Sequence, residues 1–309
     1  MKIADQILAE QFESGILSFG RVTAGLKRPT ARKTFARQLV DSAHRTKYVT
    51  LMRSRTLSPL RVDPSSELFD PILAAIRLLS QGEIDEASWL IFLSVHFGKH
   101  GRTGWALCRR VYGTLCEGAP WTWSRIVTDA EAFKKWLGGR EGKIKAGPPV
   151  ASFGNHRKFE TLRDLGDRGT PAAIATYVNW IKQSGDHKQK FDSALKQANG
   201  DGKLAFDILY KSMNVASFGR LAKFDYLSML GKVGVTAIQA GSTYVEGATG
   251  PLKGAGILFF ADKKVSVSTA TLDQWLVELA NHLGVTMQDM EDAVCNWQKS
   301  PTQYQSFRG

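Results

Sequence analysis

An all-α fold is predicted by two features of the sequence: apolar residues recur at spacings of three and four along most of the chain, and strand-like alternation is scarce. The clearest helix starts near Asp70, a candidate N-cap that is followed by Pro71 at the first helical position. This helix is expected to end at Gly82. The next run, residues 84–98, is more apolar and is expected to be buried.

The same spacing continues through the rest of the chain. Further segments that show it are residues 104–115, 129–137, 170–185, 190–199, 203–213, 271–284 and 287–299. Two stretches are predicted to differ. Residues 47–57 follow a basic helix and are expected to be extended, and residues 256–268 are the best candidate for a short strand.

The composition excludes several classes of protein. With 43% apolar residues, the 309-residue chain can fill a substantial core and is not a disordered protein. Cys108, Cys116 and Cys295 form no C-x-x-C pair, which excludes a disulfide scaffold and a cysteine-based zinc site. His96 and His100 are four residues apart, but no third ligand follows at a recognisable spacing. We expect no metal, no cofactor, no signal peptide and no membrane span, and a cytoplasmic monomer.

Positive charge is concentrated near the N-terminus. The net charge is +12, and residues 21–61 contain eleven Lys or Arg against one acid, Asp41. Such a surplus favours a polyanionic partner, although a charge run can also be a solvated surface. The size of the imbalance favours contact with DNA phosphates, through Arg32, Lys33 and Arg37 in particular.

The spacing of Gly and Pro predicts how the chain is divided. Residues 1–64 are expected to form a basic N-terminal segment, and residues 65–309 a helical domain. A Gly- and Pro-rich connection at residues 138–149 divides this domain into lobes of roughly 65–145 and 150–309. The motifs with the most specific chemistry lie in the second lobe.

A twelve-residue motif occurs twice in that lobe. Residues 151–162 are ASFGNHRKFETL, residues 216–227 are ASFGRLAKFDYL, and seven of the positions are identical. Ser152 and Ser217 are candidates for helix caps. Duplicated capping chemistry is one explanation of the repeat. The other is that two equivalent turns approach a common ligand and present carboxylates to it.

The carboxylates of the repeat are the leading catalytic candidates. Asp225 follows a Gly turn in an otherwise apolar helix, so it should be partly desolvated, and a carboxylate stabilises a developing cation best where water is excluded. Glu160 occupies the equivalent position in the first copy. The structural alternative for Asp225 is a helix-start acid paired with Lys223 or Arg220.

Other predicted site residues lie around the repeat and near the C-terminus. Glu291 and Asp292 are on an amphipathic helix, where they either face solvent or line a base-sized pocket with Asn296 and Trp297. The repeat adds further pocket candidates: Phe153, Asn155, His156 and Phe218. Additional DNA contacts are expected from cations and from a Gly-rich turn that could cradle phosphates: Arg157, Arg220, Gly250, Lys253, Gly254, Lys263 and Lys264.

Several blocks of the sequence resemble a known family. They are EASWLIFLSVHFGKH, PWTWSRI, SFGNHRKFETL, SFGRLAKFDYLSMLG, GATGPLKGAGILFF and MEDAVCNWQKSP. In this order they resemble the α-glutamyl/putrescinyl-thymine pyrophosphorylase-like family over residues 65–309. The resemblance implies a two-lobed all-α fold related to helix-hairpin-helix DNA glycosylases, with the active cleft between the lobes. The V-D-T-H-like catalytic segment of those glycosylases is not visible in this chain.

The resemblance implies two chemistries on double-stranded DNA that carries modified bases. Phage members are similar to amino acid:DNA transferases, which displace pyrophosphate from pyrophosphorylated hydroxymethyluracil. Bacterial members resemble an anti-phage glycosylase that removes glucosylated 5-hydroxymethylcytosine and leaves abasic sites. Both reactions need the target nucleotide to flip out of the duplex. We favour the glycosylase because no dedicated amino-acid or pyrophosphate site is evident; a non-catalytic binder of modified DNA is the third hypothesis.

Overall fold

The computed structural model of the chain describes residues 2–306, and this part contains α-helices, short 3-10 helices and no β-strand. The α-helices in chain order are α1 (Ile3–Ser18), α2 (Pro29–Met52), α3 (Pro71–Leu79), α4 (Ile84–Phe97), α5 (Ala106–Tyr112), α6 (Trp123–Thr128), α7 (Ala130–Leu137), α8 (Glu141–Lys145), α9 (Thr170–Lys182), α10 (His187–Gln197), α11 (Gly202–Ser212), α12 (Arg220–Val233), α13 (Thr249–Phe260), α14 (Thr269–Leu283) and α15 (Met287–Trp297). The all-α class is confirmed. Across residues 2–306, no helix combines the length and the apolar character needed to cross a bilayer.

The described chain divides into two compact units. One combines the residues up to Tyr48 with those from Ala240 onward, and contains α1, most of α2 and α13 to α15. The other is Val49–Gln239 and contains α3 to α12. These boundaries differ from those predicted near residues 64 and 145–150, because the N-terminal helices share a core with the C-terminal helices. The last three residues of the predicted second lobe lie outside the described part.

The unit built from both ends of the chain has a continuous apolar core. Trp297 on α15 is fully buried, its ring centroid lies 5.4 Å from that of Phe35 on α2, and its indole N–H donates to the backbone oxygen of Ala31 at 3.2 Å. Gly254 lets α13 approach α15, since a Cβ there would lie 2.4 Å from Cγ1 of Val294. Apolar packing therefore joins segments that are far apart in sequence.

Both stretches predicted to be extended begin in a helix and continue as turns and irregular backbone, so neither contains a strand and those predictions were wrong. Helix α2 continues to Met52, and Val49 within it is buried. Residues 256–260 form the end of α13, where Leu258 and Phe259 join the core. The physical reason is that short apolar runs rich in aromatic and β-branched residues fit a helix as well as a strand, so packing decides between them.

Helix α4 lies at the centre of the second unit, where it packs on α3, α5, α6, α10 and α12. Its indole at Trp89 donates to the backbone oxygen of Trp121 at 2.7 Å, and Phe92 stacks on Tyr177 with 3.8 Å between ring centroids. The prediction that residues 84–98 are buried is confirmed for most of the helix. This rigid aromatic core supports the turns that contain the candidate site.

The start of α3 also agrees with the sequence. The carboxylate of Asp70 accepts hydrogen bonds from the backbone N–H groups of Ile72 and Leu73 at 3.0 and 3.1 Å. Pro71 is the first helical residue, and Gly82 has a φ of +85° after the helix ends. Cap chemistry of this kind is local, which is why the sequence predicts it correctly.

Candidate active site

The two copies of the repeat fold differently. Residues 151–162 form only a single 3-10 turn, Asn155–Arg157, whereas the second copy opens helix α12 at Arg220. The apolar spacing continues after the second copy but gives way to the polar sequence RDLGDRG after the first, so only the second can bury a helix face.

The serines of the repeat do not cap helices, and that prediction was wrong. The residues before the two helical turns are Gly154 and Gly219, and neither makes a side-chain cap. Ser217 has a φ of +60°, and its hydroxyl accepts from the backbone N–H of Gly169 at 3.4 Å. The hydroxyl therefore ties the second turn to the start of α9 rather than to its own helix.

Close packing of two glycines fixes the first turn. Gly154 donates its backbone N–H to the oxygen of Phe97 at 2.8 Å. A Cβ at Gly154 would lie 2.7 Å from the carbonyl carbon of Gly98 at the end of α4, so a side chain here would displace backbone. The turn is thereby held against the central helix of the unit.

Arg157 brings the two copies together. Its side chain is 9% exposed, and its Nε donates to the backbone oxygen of Val95 at 2.9 Å. Its Nη2 lies 4.0 Å from Oδ2 of Asp225, and the guanidinium carbon lies 5.7 Å from the ring centroid of Phe218. The Nη2 atom is buried and has no hydrogen-bond acceptor among the described residues. A buried donor without an acceptor is costly, so a hydrogen bond from it to an oxygen atom would be favourable.

Asp225 presents a carboxylate that is enclosed by protein yet still reaches solvent. Its side chain is 36% exposed, on α12. Burial raises the pKa of this carboxyl above its ordinary value, while the charges of Arg157, His156 and Arg220 act in the opposite direction. A carboxylate with a raised pKa is a better base, and its cationic neighbours favour the ionised form.

Glu160 is the second acid near Arg157. Burial lowers the pKa of the Arg157 guanidinium, and the carboxylates of Asp225 and Glu160 oppose that shift. Glu160 is half-buried, and its backbone N–H donates to the oxygen of Arg157 at 2.9 Å. Both carboxylates of the repeat therefore act electrostatically on one guanidinium.

The predicted pocket residues of the repeat fall into two groups. Asn155 and His156 are exposed beside Arg157, whereas Phe153 and Phe218 are 7% and 3% exposed. The phenyl rings pack on His96, at 6.0 and 6.2 Å between ring centroids, and so support the site from inside the core. In this arrangement neither ring offers a face to a base.

His96 and His100, the two histidines four residues apart, have partners other than a metal. His96 is buried and shares a hydrogen bond of 2.9 Å with the hydroxyl of Thr170; its burial lowers its pKa to about 3. His100 Nδ1 accepts the backbone N–H of Thr103 at 3.2 Å. Among residues 2–306, no group of three His, Cys, Asp or Glu side chains could hold a metal ion.

A buried polar chain, which the sequence did not reveal, underlies helix α12. Tyr226, the residue after Asp225, shares a hydrogen bond of 2.8 Å with Tyr177, whose hydroxyl lies 2.7 Å from Nε2 of His187. His187 Nδ1 lies 2.5 Å from the carboxylate of Asp85. Burial lowers the pKa of His187, and Asp85 opposes this shift. The four residues come from α4, α9, α10 and α12, so only the tertiary fold brings them together.

The C-terminal candidates lie in the other unit. Asp292 forms an ion pair with Arg45 and accepts from Ser42 at 2.7 Å and from the amide of Asn296 at 2.8 Å. Glu291 and Asn296 are 6% and 7% exposed. Trp297, described above, is part of the core. The carboxylate of Asp292 is therefore already satisfied by three neighbours, unlike that of Asp225.

The predicted DNA contacts also differ in availability. Lys33, Lys253, Lys263 and Lys264 are exposed. In contrast, Arg32 donates to the backbone oxygen of Leu26 at 3.1 Å, and Arg37 lies over the ring of Tyr304 at 3.6 Å. Gly250 and Gly254 pack against α15, where a Cβ on Gly250 would lie 2.9 Å from Sγ of Cys295. The lysines, and not these arginines and glycines, have the freedom to meet a phosphate.

These features define an all-α protein with a partly open polar site, in which an aspartate of raised pKa faces a buried cation. The chain belongs to the family described as alpha-glutamyl/putrescinyl thymine pyrophosphorylase clade 3, whose model matches residues 30–309. Comparison with curated proteins found no match, and comparison with solved structures found none either. The predicted family is confirmed, and the match begins earlier than residue 65. The family is linked to pathways of modified bases in phage DNA, and its name implies an enzyme that acts on modified thymine.

Proposed function

We propose that the protein is a DNA N-glycosylase of anti-phage defence, which flips out a hypermodified base and excises it to leave an abasic site. Glucosylated 5-hydroxymethylcytosine is the substrate we propose. One observation supports this proposal: the partly exposed carboxyl of Asp225, whose pKa is raised, faces the guanidinium of Arg157. That guanidinium has a buried N–H group without an acceptor among the described residues.

Asp225 has the properties that base excision requires. As the bond between C1′ and the base breaks, positive charge develops on the sugar, and a nearby carboxylate stabilises it. The same carboxylate can orient a water molecule and accept its proton, and the raised pKa makes that transfer more favourable. Water supplies the oxygen that ends on C1′, and the base leaves with the electron pair of the broken bond.

Arg157 has two roles in this proposal. Its charge favours the ionised form of Asp225 against the effect of burial, and its Nη2, which has no acceptor among the described residues, is the proposed donor to an oxygen of the flipped nucleotide. Glu160 is the proposed positioning acid, because it adds a second negative charge beside the same guanidinium. Asp292 and Glu291 are proposed to have structural roles.

The second candidate function is an amino acid:DNA transferase, and one observation favours it. Arg220 and Lys232 join Arg157 as positive charges that act on Asp225. A departing pyrophosphate needs several cations around it, and the family is named for a pyrophosphorylase. A non-catalytic binder of modified DNA would need none of these features to be arranged around a carboxylate.

Products distinguish these functions directly. Purified protein is incubated with phage DNA that carries glucosylated 5-hydroxymethylcytosine, with pyrophosphorylated hydroxymethyluracil DNA plus amino acids, and with unmodified DNA. Abasic sites and free modified base, formed without other substrates, are the expected result. Pyrophosphate release with amino-acid incorporation would replace the glycosylase with the transferase, and binding without either product would refute both.

A variant pair tests the assigned residue. Asp225→Asn should abolish product while DNA binding is retained. Asp192→Asn is the matched control, because Asp192 lies on the surface of α10 in an ion pair with Lys188. If Asp225→Asn turns over normally, the assignment of the catalytic carboxylate is wrong.

A further inference from the structure

Four cationic side chains meet beside the hairpin that joins α4 to α5, and the proposed reaction uses none of them. Arg61, Lys99, Arg102 and Arg109 line a pocket of about 320 Å³, together with Trp105. Within the part of the chain that the structure describes, no carboxylate lies within ion-pair distance of any of the four. Cations that share a pocket and are not paired with a carboxylate repel one another, so an anion between them is favoured.

The acids of the same pocket do not remove this excess. Glu67 and Asp70 also line it. Oδ1 of Asp70 already accepts the two N–H groups that begin α3, those of Ile72 and Leu73. Four cations against two acids leave two positive charges, which is the charge that complements a phosphate dianion or two adjacent phosphodiesters.

The hairpin is rigid enough to hold these groups in place. His100 and Gly104 exchange backbone hydrogen bonds of 3.0 and 2.9 Å. The hydroxyl of Thr103 lies 3.0 Å from Nδ1 of His100, which closes the turn from inside. A preorganised site of this kind loses little conformational freedom when a ligand binds.

An aromatic residue borders the same pocket. Trp105 lines it, and Lys99 Nζ lies 5.8 Å from the centroid of its ring. The ring therefore supports the side of the pocket from which Lys99 acts. The indole N–H of Trp105 is enclosed by protein and has no hydrogen-bond acceptor among residues 2–306.

The pocket is close to the repeat that contains the candidate active site. The hairpin begins at Gly98, and a Cβ on Gly154 would lie 2.9 Å from the Cα of Gly98 and 3.0 Å from the backbone nitrogen of Lys99. The hairpin and the turn that presents Arg157 are thus in direct contact.

We propose that this pocket binds phosphoryl groups. The arginine forks suit two oxygens of one phosphate, and Lys99 suits a point contact to a neighbouring one. The phosphates can belong to the backbone of bound DNA or to free pyrophosphate, which share this chemistry. The proposal does not rest on the glycosylase reaction, since it concerns binding alone.

The test measures binding of both sources to the full chain and to charge variants. The variants are Arg102→Gln, the double variant Arg102→Gln with Arg109→Gln, and the control Lys203→Gln, which removes an exposed charge at the start of α11. Pyrophosphate and inorganic phosphate are titrated by calorimetry at constant ionic strength. Unmodified duplex DNA is titrated by fluorescence anisotropy over a series of salt concentrations, and thermal melting reports folding of each variant.

Either of two results supports the proposal and identifies the source. If pyrophosphate binds the wild type and the double variant binds it at least tenfold more weakly, the ligand is the free anion. If only DNA binds, the double variant should reduce the salt slope by about two, since each phosphate contact contributes about 0.9. Equal behaviour of the double variant and Lys203→Gln toward all three ligands would overturn the proposal. If the double variant melts at a lower temperature than the wild type, the single variant Arg102→Gln, at an exposed residue, is compared with Lys203→Gln instead. The expected change in the salt slope is then about half as large.

Discussion

Replacing Arg157 with Gln removes the positive charge nearest to the Asp225 carboxylate. The two charges are 4.0 Å apart. At that distance, unit charges interact by about 1 kcal/mol in water and about 4 kcal/mol at an effective dielectric constant of 20. Because the Asp225 side chain is 36% exposed, we take the lower part of this range, about 1–2 kcal/mol.

The sign of the effect follows from the proton equilibrium. Arg157 favours the ionised form of Asp225, so its loss raises the pKa of that carboxyl further. An energy of about 1.4 kcal/mol corresponds to about tenfold tighter proton binding. At a pH below the raised pKa, Arg157→Gln should therefore have about a tenth of the wild-type fraction of active carboxylate, and at high pH the difference in ionisation should vanish.

The assay is the single-turnover rate of base release over a range of pH. We expect the acidic limb of the profile to move to higher pH in Arg157→Gln and to stay in place in Arg157→Lys, which keeps the charge. A lower rate at every pH with an unmoved acidic limb would contradict this electrostatic role of Arg157. That result would mean that Arg157 acts only through its hydrogen bond to Val95 or that Asp225 is not the titrating group.

Three further predictions concern stability. Asp225→Asn removes a carboxyl whose pKa is raised by folding, so the wild type gains stability from this group at low pH and loses that gain as the pH rises through the folded pKa. The Tm of the variant minus the Tm of the wild type should therefore increase from acidic to neutral pH. A flat or falling difference would contradict the raised pKa. Gly154→Ala places a Cβ 2.7 Å from backbone and should lower the free energy of unfolding, measured with denaturant, by about 1–3 kcal/mol. The control Gly142→Ala, at a position with open space around it, should be neutral or stabilising. Equal effects of the two variants would show that the contact at residue 154 relaxes freely. Tyr177→Phe leaves the buried hydroxyl of Tyr226 and the imidazole of His187 without their partner and should lower the free energy of unfolding by about 1–3 kcal/mol. The control Tyr48→Phe, at an exposed residue, should change it little. A loss as small as that of the control would mean that the buried polar chain adds nothing to stability.

The fold class and several helix boundaries could be predicted from the sequence because their signals are local. Apolar spacing identifies a helix within a dozen residues, and Asp70 caps α3 by accepting the backbone N–H groups of Ile72 and Leu73, two and three residues further on. The family was recognisable for a related reason, since its motifs are continuous blocks of sequence. The repeat itself was also visible, but its identical residues did not reveal that one copy is a 3-10 turn and the other an α-helix.

The arrangement of the candidate site could not be predicted in the same way. Arg157 was expected to bind DNA, yet its guanidinium is buried beside Asp225, and the phenyl rings of Phe153 and Phe218 pack on His96. The chain of Tyr226, Tyr177, His187 and Asp85 unites four helices, and no spacing in the sequence connects them.

Local patterns in the chain were thus enough to establish that it is helical, basic and a member of its family. The packing of the folded chain was needed to establish that its two ends share one core and that Arg157 meets Asp225. The physical reason is that helix formation depends on neighbours within a few residues, whereas burial and ion pairing depend on which distant segments pack together. Packing that removes water raises the pKa of the Asp225 carboxyl, and the cation that the same packing brings within reach opposes that shift.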